Sequence, residues 1–179
     1  VNEYLTIESA ELRFAVDAAT GEFEGYAAIF SEVLPRYGER VMPGAFTRTL
    51  AAFAGKKRLP PMFWNHKSDE PIGVWTSMTE DRRGLKVTGK LVTTTTRGAE
   101  VLEWLKADMP LGMSIGFRAV ADRQVKGIRE LSEIDLIEVS LTANPASDNA
   151  RVTKFRNSAE PADLAAFIKE VRRASASLR

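Results

Sequence analysis

Residues 134–143 read IDLIEVSLTA, a strand whose two faces are both apolar. By simple alternation Ile134 and Leu136 share a face with Glu138, while Ile137, Val139 and Leu141 form the other. Such a strand is expected to be covered on both sides, and an unpartnered carboxylate is costly to bury. Glu138 must therefore find a partner, face solvent at an edge or be protonated. A histidine or an arginine, Arg118 for example, would serve as that partner. The competing reading is a salt bridge that holds two strands together and does no chemistry.

The neighbouring motif LGMSIGFRAV, residues 111–120, also reads as a strand. Met113, Ile115 and Phe117 fall on one face, and Ser114, Gly116 and Arg118 on the other. A serine between glycines has little bulk around its hydroxyl, which leaves room for a substrate carbonyl. From the strand pattern alone, a small residue filling a tight spot in a barrel wall is the better explanation of Ser114. His66 ends the segment PPMFWNH, close to Asp69 and Glu70, and it is the only histidine in the chain. An imidazole, with an ordinary pKa of about 6.5, is suited to take a proton from a serine hydroxyl at neutral pH. Taken alone, a histidine at a strand end is a common structural feature.

The segments 4–9, 11–17 and 22–30 are β-prone, and residues 31–43, with Pro35 and Pro43, read as a loop. GAFTRTLAAFA (44–54) has helical spacing through Phe46, Leu50 and Phe53. RGAEVLEWLKADM (97–109) has it through Val101, Leu102 and Leu105. Between them, PIGVWTSMTE and GLKVTGKLV are strands joined by the turn DRRG. Residues 113–120, 127–133 and 134–143 read as three further strands, the first two linked by the polar run ADRQVKG. This pattern predicts an α+β fold, a mainly antiparallel β-barrel, closed or nearly so, surrounded by a few helices. Residues 1–156 are expected to form the barrel domain. Residues 157–179 are expected to form a linker and an amphipathic helix striped by Leu164, Phe167, Ile168 and Val171.

Composition removes several function classes. The 25 basic and 24 acidic residues leave a net charge of +1, so no strong attraction to nucleic acid or to an anionic membrane is expected. With no cysteine and one histidine, disulfides, thiol nucleophiles and a zinc centre are not expected, and no cofactor or metal is predicted. GKLVTTTTRG lacks the spacing of a phosphate loop, and the scattered acids form no metal-ligand run. No apolar run approaches a membrane span, and VNEYLTIESAELRF does not resemble a secretory signal, so a soluble, intracellular protein is expected.

The succession GYAAIF, VMPGAFTRTL, PPMFWNHKSDEPIGVW, GLKVTGKLV, LGMSIGFRAV and EIDLIEVSLTANPAS resembles the prohead proteases of tailed bacteriophages. The resemblance runs from about Gly25 to about Val152. That family is similar in fold to the herpesvirus capsid-maturation serine proteases. It implies that His66 and Ser114 are the catalytic pair, in a host cytoplasm and inside an assembling procapsid. The herpesvirus enzymes use a second histidine, which this chain lacks. Glu138 is the natural replacement, with Asp135 and Asp69 behind it. The resemblance further implies a major capsid or scaffolding protein as substrate, with self-cleavage, and allows a homodimer. It puts the oxyanion hole around Asn144 to Ala146. The rival is a catalytically silent assembly scaffold that keeps the protease fold. It would have no need to hold Ser114 and His66 within hydrogen-bond reach.

Overall fold

The computed structural model describes residues 21–35 and 37–143, together with the backbone of three short strands outside them. In chain order these residues form β1 (Leu5–Ile7), β2 (Arg13–Phe14), β3 (Glu22–Ile29), β4 (Glu39–Val41), α1 (Thr47–Lys56), β5 (Met62–Trp64) and β6 (Lys67–Glu80). Then follow β7 (Gly84–Leu91), α2 (Thr96–Lys106), β8 (Gly112–Val125), β9 (Ile128–Thr142) and β10 (Lys154–Phe155). The expected C-terminal linker and helix lie outside the described residues.

Lys126 and Gly127 both adopt positive φ, 52° and 80°, and fold β8 back on β9 as one long hairpin. The polar run ADRQVKG is therefore mostly strand rather than a link. The segments expected as two strands over 127–133 and 134–143 are one. The sheet runs β1-β8-β9-β5-β6-β7-β3, with β4 also on β9. Both β4 and β5 pair with β9 in parallel, so the sheet is mixed, which corrects the expectation of a mainly antiparallel one. Among the described residues it curls into a half-barrel with two helices, with no ladder between β1 and β3 to close it. β2 and β10 form a separate parallel pair.

The core lies inside the curl. Phe23, Phe46, Ile72, Leu85, Leu105, Leu111 and Phe117 are all fully buried there. The α2 helix contributes Val101, Leu102 and Leu105, the stripe expected from its sequence. Its N-cap is Thr95, whose hydroxyl accepts the Gly98 N–H, so the threonine-rich run starts a helix.

Helix α1 has a different job. β4 covers β9 only over residues 129–131 and β5 only over 139–141, which leaves the intervening edge of β9 to be satisfied by other groups. The N–H of Ile134 donates to the carbonyl of Ala45, and the N–H of Leu136 donates to the hydroxyl of Thr49. Arg48 adds ion pairs to Glu133 and Asp135. The helix itself has no local side-chain cap. Instead Glu80, at the end of β6, accepts the Phe46 N–H at 3.0 Å and the Thr47 hydroxyl at 2.9 Å.

Charged pairs gather on the outer half of the β8–β9 hairpin. Glu130 is buried and accepts from Arg40 and Arg123, and those two guanidinium groups, Arg40 first, hold its carboxyl below the usual carboxylate value. Arg129 does the same for Asp122.

Two predictions follow from these contacts. Glu80→Ala should lower stability by about 1–2 kcal/mol, read as a lower urea midpoint at unchanged slope. For the carboxyls lowered in the folded state, the stabilisation is present above their unfolded values, about 4.3 for Glu130 and about 3.9 for Asp122. It should be lost as pH falls through the lowered folded value. Urea midpoints measured from pH 6 to pH 3 should therefore fall below about pH 5, and Glu130→Gln should flatten that fall.

Candidate active site

The site is built where β8 and β9 are buried on both faces. Across the hairpin Met113 opposes Leu141 and Ile115 opposes Val139, and these four side chains enter the core. On the opposite face Ser114 opposes Ser140 and Gly116 opposes Glu138. Phe117, however, opposes Leu136, which leaves Ile137 as an extra residue in a β-bulge. Ile137 points outward and is 42% exposed. The bulge shifts the phase of the strand, so Glu138 does not share a face with Ile134 and Leu136 as plain alternation predicts. It shares a face with Ser140, opposite Ser114 and Gly116.

Gly116 is what makes room for the carboxylate. A Cβ at that position would sit 2.3 Å from Oε1 of Glu138 and 3.0 Å from its Cδ. The space expected to admit a substrate carbonyl at this glycine is occupied by Glu138 instead.

His66 comes from the β5–β6 connection. Trp64 pairs with Lys67, so Asn65 and His66 are the two residues of a tight hairpin loop. Both have positive φ, 50° and 60°, the pattern of a type I′ turn. Asparagine and histidine are enriched among the non-glycine residues that tolerate this region, at a cost of order 1–3 kcal/mol each. Two bonds to β9 hold the strained loop: the Asn65 N–H to the Leu141 carbonyl at 2.9 Å, and the His66 N–H to Oγ of Ser140 at 3.1 Å. The hairpin is also tied to α2. The rings of Trp64 and Trp104 lie 4.9 Å apart, and Glu70 accepts from Lys67 and Arg97 at 2.9 and 2.7 Å. Those partners, Lys67 first, hold the Glu70 carboxyl below its ordinary value.

The three groups meet. Nε2 of His66 is 2.6 Å from Oγ of Ser114, and Nδ1 is 2.5 Å from Oε1 of Glu138. Ser114 is fully buried, Glu138 is 6% exposed, and the imidazole is the most accessible of the three, its side chain 28% exposed. A carboxylate on Nδ1 and a hydroxyl on Nε2 is the arrangement in which an imidazole can accept a proton from the hydroxyl and keep its orientation. The other acids stand apart. Asp135 is taken up by Arg48 and Arg118, so Arg118 is not the partner of Glu138. Asp69 lies on an exposed part of β6. Sequence reasoning passed over Ser140, whose hydroxyl donates to Oε2 of Glu138 at 2.6 Å. Its position two residues after Glu138, on the same face, was the available signal. The stretch Asn144 to Ala146, expected to hold the oxyanion hole, lies outside the described residues. No described group of three or more acids and histidines could hold a metal, and no described helix is long and apolar enough to cross a membrane.

Residues 8–164 match the family model described as the Caudovirus prohead serine protease. The chain belongs to that family. It is 33% identical over 162 residues to the prohead protease of Enterobacteria phage HK97, spanning 86% of this chain and 68% of that protein. It is 31% identical over 124 residues to the capsid polyprotein of Pseudomonas phage PAJU2, across 64% of this chain and 18% of the polyprotein. The fold is also that of the bacteriophage T4 capsid assembly protease, with a TM-score of 0.62 at 12% identity over 80% of this chain and 100% of that one. Likeness to the KSHV protease stops at a TM-score of 0.45, too low to carry an inference about this chain. By family, therefore, this is a protease of capsid maturation.

Gly116→Ala should expel the Glu138 carboxylate from its place. The downfield imidazole proton of the sole histidine, read by NMR, should disappear, and stability should fall by about 1–3 kcal/mol through overpacking.

Proposed function

We propose that the chain is a serine endopeptidase of prohead maturation, with Ser114 as nucleophile, His66 as general base and Glu138 as the group that orients the imidazole. The single observation that carries this reading is the pair of contacts on one imidazole, 2.6 Å to Ser114 and 2.5 Å to Glu138. As the Ser114 hydroxyl attacks a scissile carbonyl, its proton passes to Nε2 and a tetrahedral adduct forms. The same proton goes to the leaving amine as the C–N bond breaks to give the acyl-enzyme, and water completes the cycle by the same transfers. Glu138 stabilises the imidazolium through the Nδ1–H bond.

The substrate in this reading is a capsid or scaffolding protein, with the chain itself as a further target, inside the assembling procapsid. The relative described as a capsid polyprotein supports a capsid-protein substrate. One observation favours the rival, a silent scaffold: Ser114 is fully buried. Yet a scaffold has no requirement for a hydroxyl, an imidazole and a carboxylate in register at hydrogen-bond distance.

Co-expression with the capsid protein encoded beside it, followed by intact mass spectrometry, decides between them. The wild type should truncate the capsid protein. Ser114→Ala and His66→Ala should each slow cleavage by on the order of 10⁴-fold and leave it full length. Full-length capsid protein with the wild type, in particles that assemble normally, would establish the scaffold.

A further inference from the structure

Ser140 is fully buried, and both of its hydrogen bonds end on the site. Its Oγ accepts the backbone N–H of His66 at 3.1 Å and donates to Oε2 of Glu138 at 2.6 Å. Glu138 in turn reaches the ring of the same histidine through Oε1. The four bonded groups therefore make a closed circuit: histidine backbone, serine hydroxyl, carboxylate, histidine ring.

Two of the bonds in that circuit have a fixed direction. A backbone N–H can only donate, so it uses a lone pair of Ser140. The hydroxyl has a single proton, which lies on the short line to Oε2. An Oε2 that receives this proton does not direct one of its own along the same line. Oε2 is thus taken up by Ser140, which turns Oε1 toward the ring, and a carboxylate is acceptor-only at both oxygens. The proton between Oε1 and the ring then belongs to Nδ1, and in the neutral imidazole the lone pair is left on Nε2, facing Ser114.

We propose that Ser140 is a positioning residue of this site: its hydroxyl fixes the rotation of the Glu138 carboxylate so that Oε1 faces Nδ1, and thereby sets the Nδ1–H tautomer of His66. Its effect on rate rests on the serine endopeptidase reading above; its effect on the ring does not. Without the hydroxyl, Oε2 is left buried with no described donor, and the carboxyl is free to rotate. A serine that only filled a buried niche would leave the ring tautomer unchanged when replaced by alanine.

Because His66 is the only histidine, ring ¹⁵N labelling of the full chain yields one pair of signals. Above the titration of the imidazole, the wild type should show one protonated and one unprotonated nitrogen, the single-tautomer pattern. Ser140→Ala should bring the two shifts toward each other and slow capsid-protein cleavage by on the order of 10²-fold, less than the ~10⁴ seen when a triad acid no longer sets the tautomer. Ser140→Thr, which keeps a hydroxyl, should hold the wild-type pattern. If Ser140→Ala does not fold, Ser140→Cys keeps the volume with only a weak donor and should show the same averaging. A folded Ala or Cys variant that retains the wild-type ring pattern, or cleaves within about twofold of wild type, would overturn the proposal. A wild type that does not cleave would sink the endopeptidase reading instead, and the ring nitrogens would still decide for or against Ser140.

Discussion

Glu138 carries a charge-bearing group into a stretch of β9 that is covered on both sides, and such burial is tolerated only when each oxygen is hydrogen-bonded. Oε1 has the His66 ring and Oε2 has the Ser140 hydroxyl. Much of the surrounding structure can be read as what this requires. The bulge at Ile137 turns the side chain to the face of Ser114, and Gly116 leaves the opposite position empty so that the carboxyl has a place to lie. Any one of these features alone would be a local irregularity. Together they let a carboxylate sit beside a histidine that belongs to a different hairpin.

β9 is able to carry such an irregularity because it is held along both edges. β8 runs the full length of one side, while β4, α1 and β5 divide the other between them. A bulge normally leaves backbone groups without ladder partners. On the opposite edge of β9, in the gap between β4 and β5, Ala45 and Thr49 supply acceptors for the N–H groups of Ile134 and Leu136, so those donors are not orphaned in the interior. The mixed character of the sheet has the same origin. β4 and β5 are three-residue strands that dock on β9 in parallel, and only through β5 does the histidine loop come within reach of Glu138.

How much of this was legible in sequence depends on the kind of signal. Glu138 stood out as an acid in an apolar strand, whereas Ser114 and the sole histidine, His66, had ordinary structural readings in the pattern alone and were singled out by the family resemblance. Alternation correctly separated Met113, Ile115 and Phe117 from Ser114 and Gly116. It failed at Glu138, because a bulge inserts one residue without changing the composition, and the phase of the pattern slips unannounced. The parallel pairings were illegible because strands as short as β4 and β5 show too few residues to carry a period. Helix α1 could not be given its start from local signals, since its cap comes from Glu80, more than thirty residues away. Ser140 escaped notice because a buried serine in a strand normally says nothing, and only the positions of two other groups give its hydroxyl meaning.

The histidine loop shows where the conformational cost is stored and what offsets it. Two non-glycine residues in succession at positive φ are unfavourable for an isolated hairpin, and a glycine at the second position would relieve the strain. Glycine has no imidazole, so a loop that must present a ring at its tip carries the strain and needs outside support. That support comes from the Leu141 carbonyl and the Ser140 hydroxyl. Both belong to β9, the strand that also carries Glu138. The backbone of His66 and the acid that faces its ring are thus referenced to the same three residues of one strand. A displacement of the hairpin relative to the rest of the sheet would break the backbone bonds before it could move the ring independently of its carboxylate.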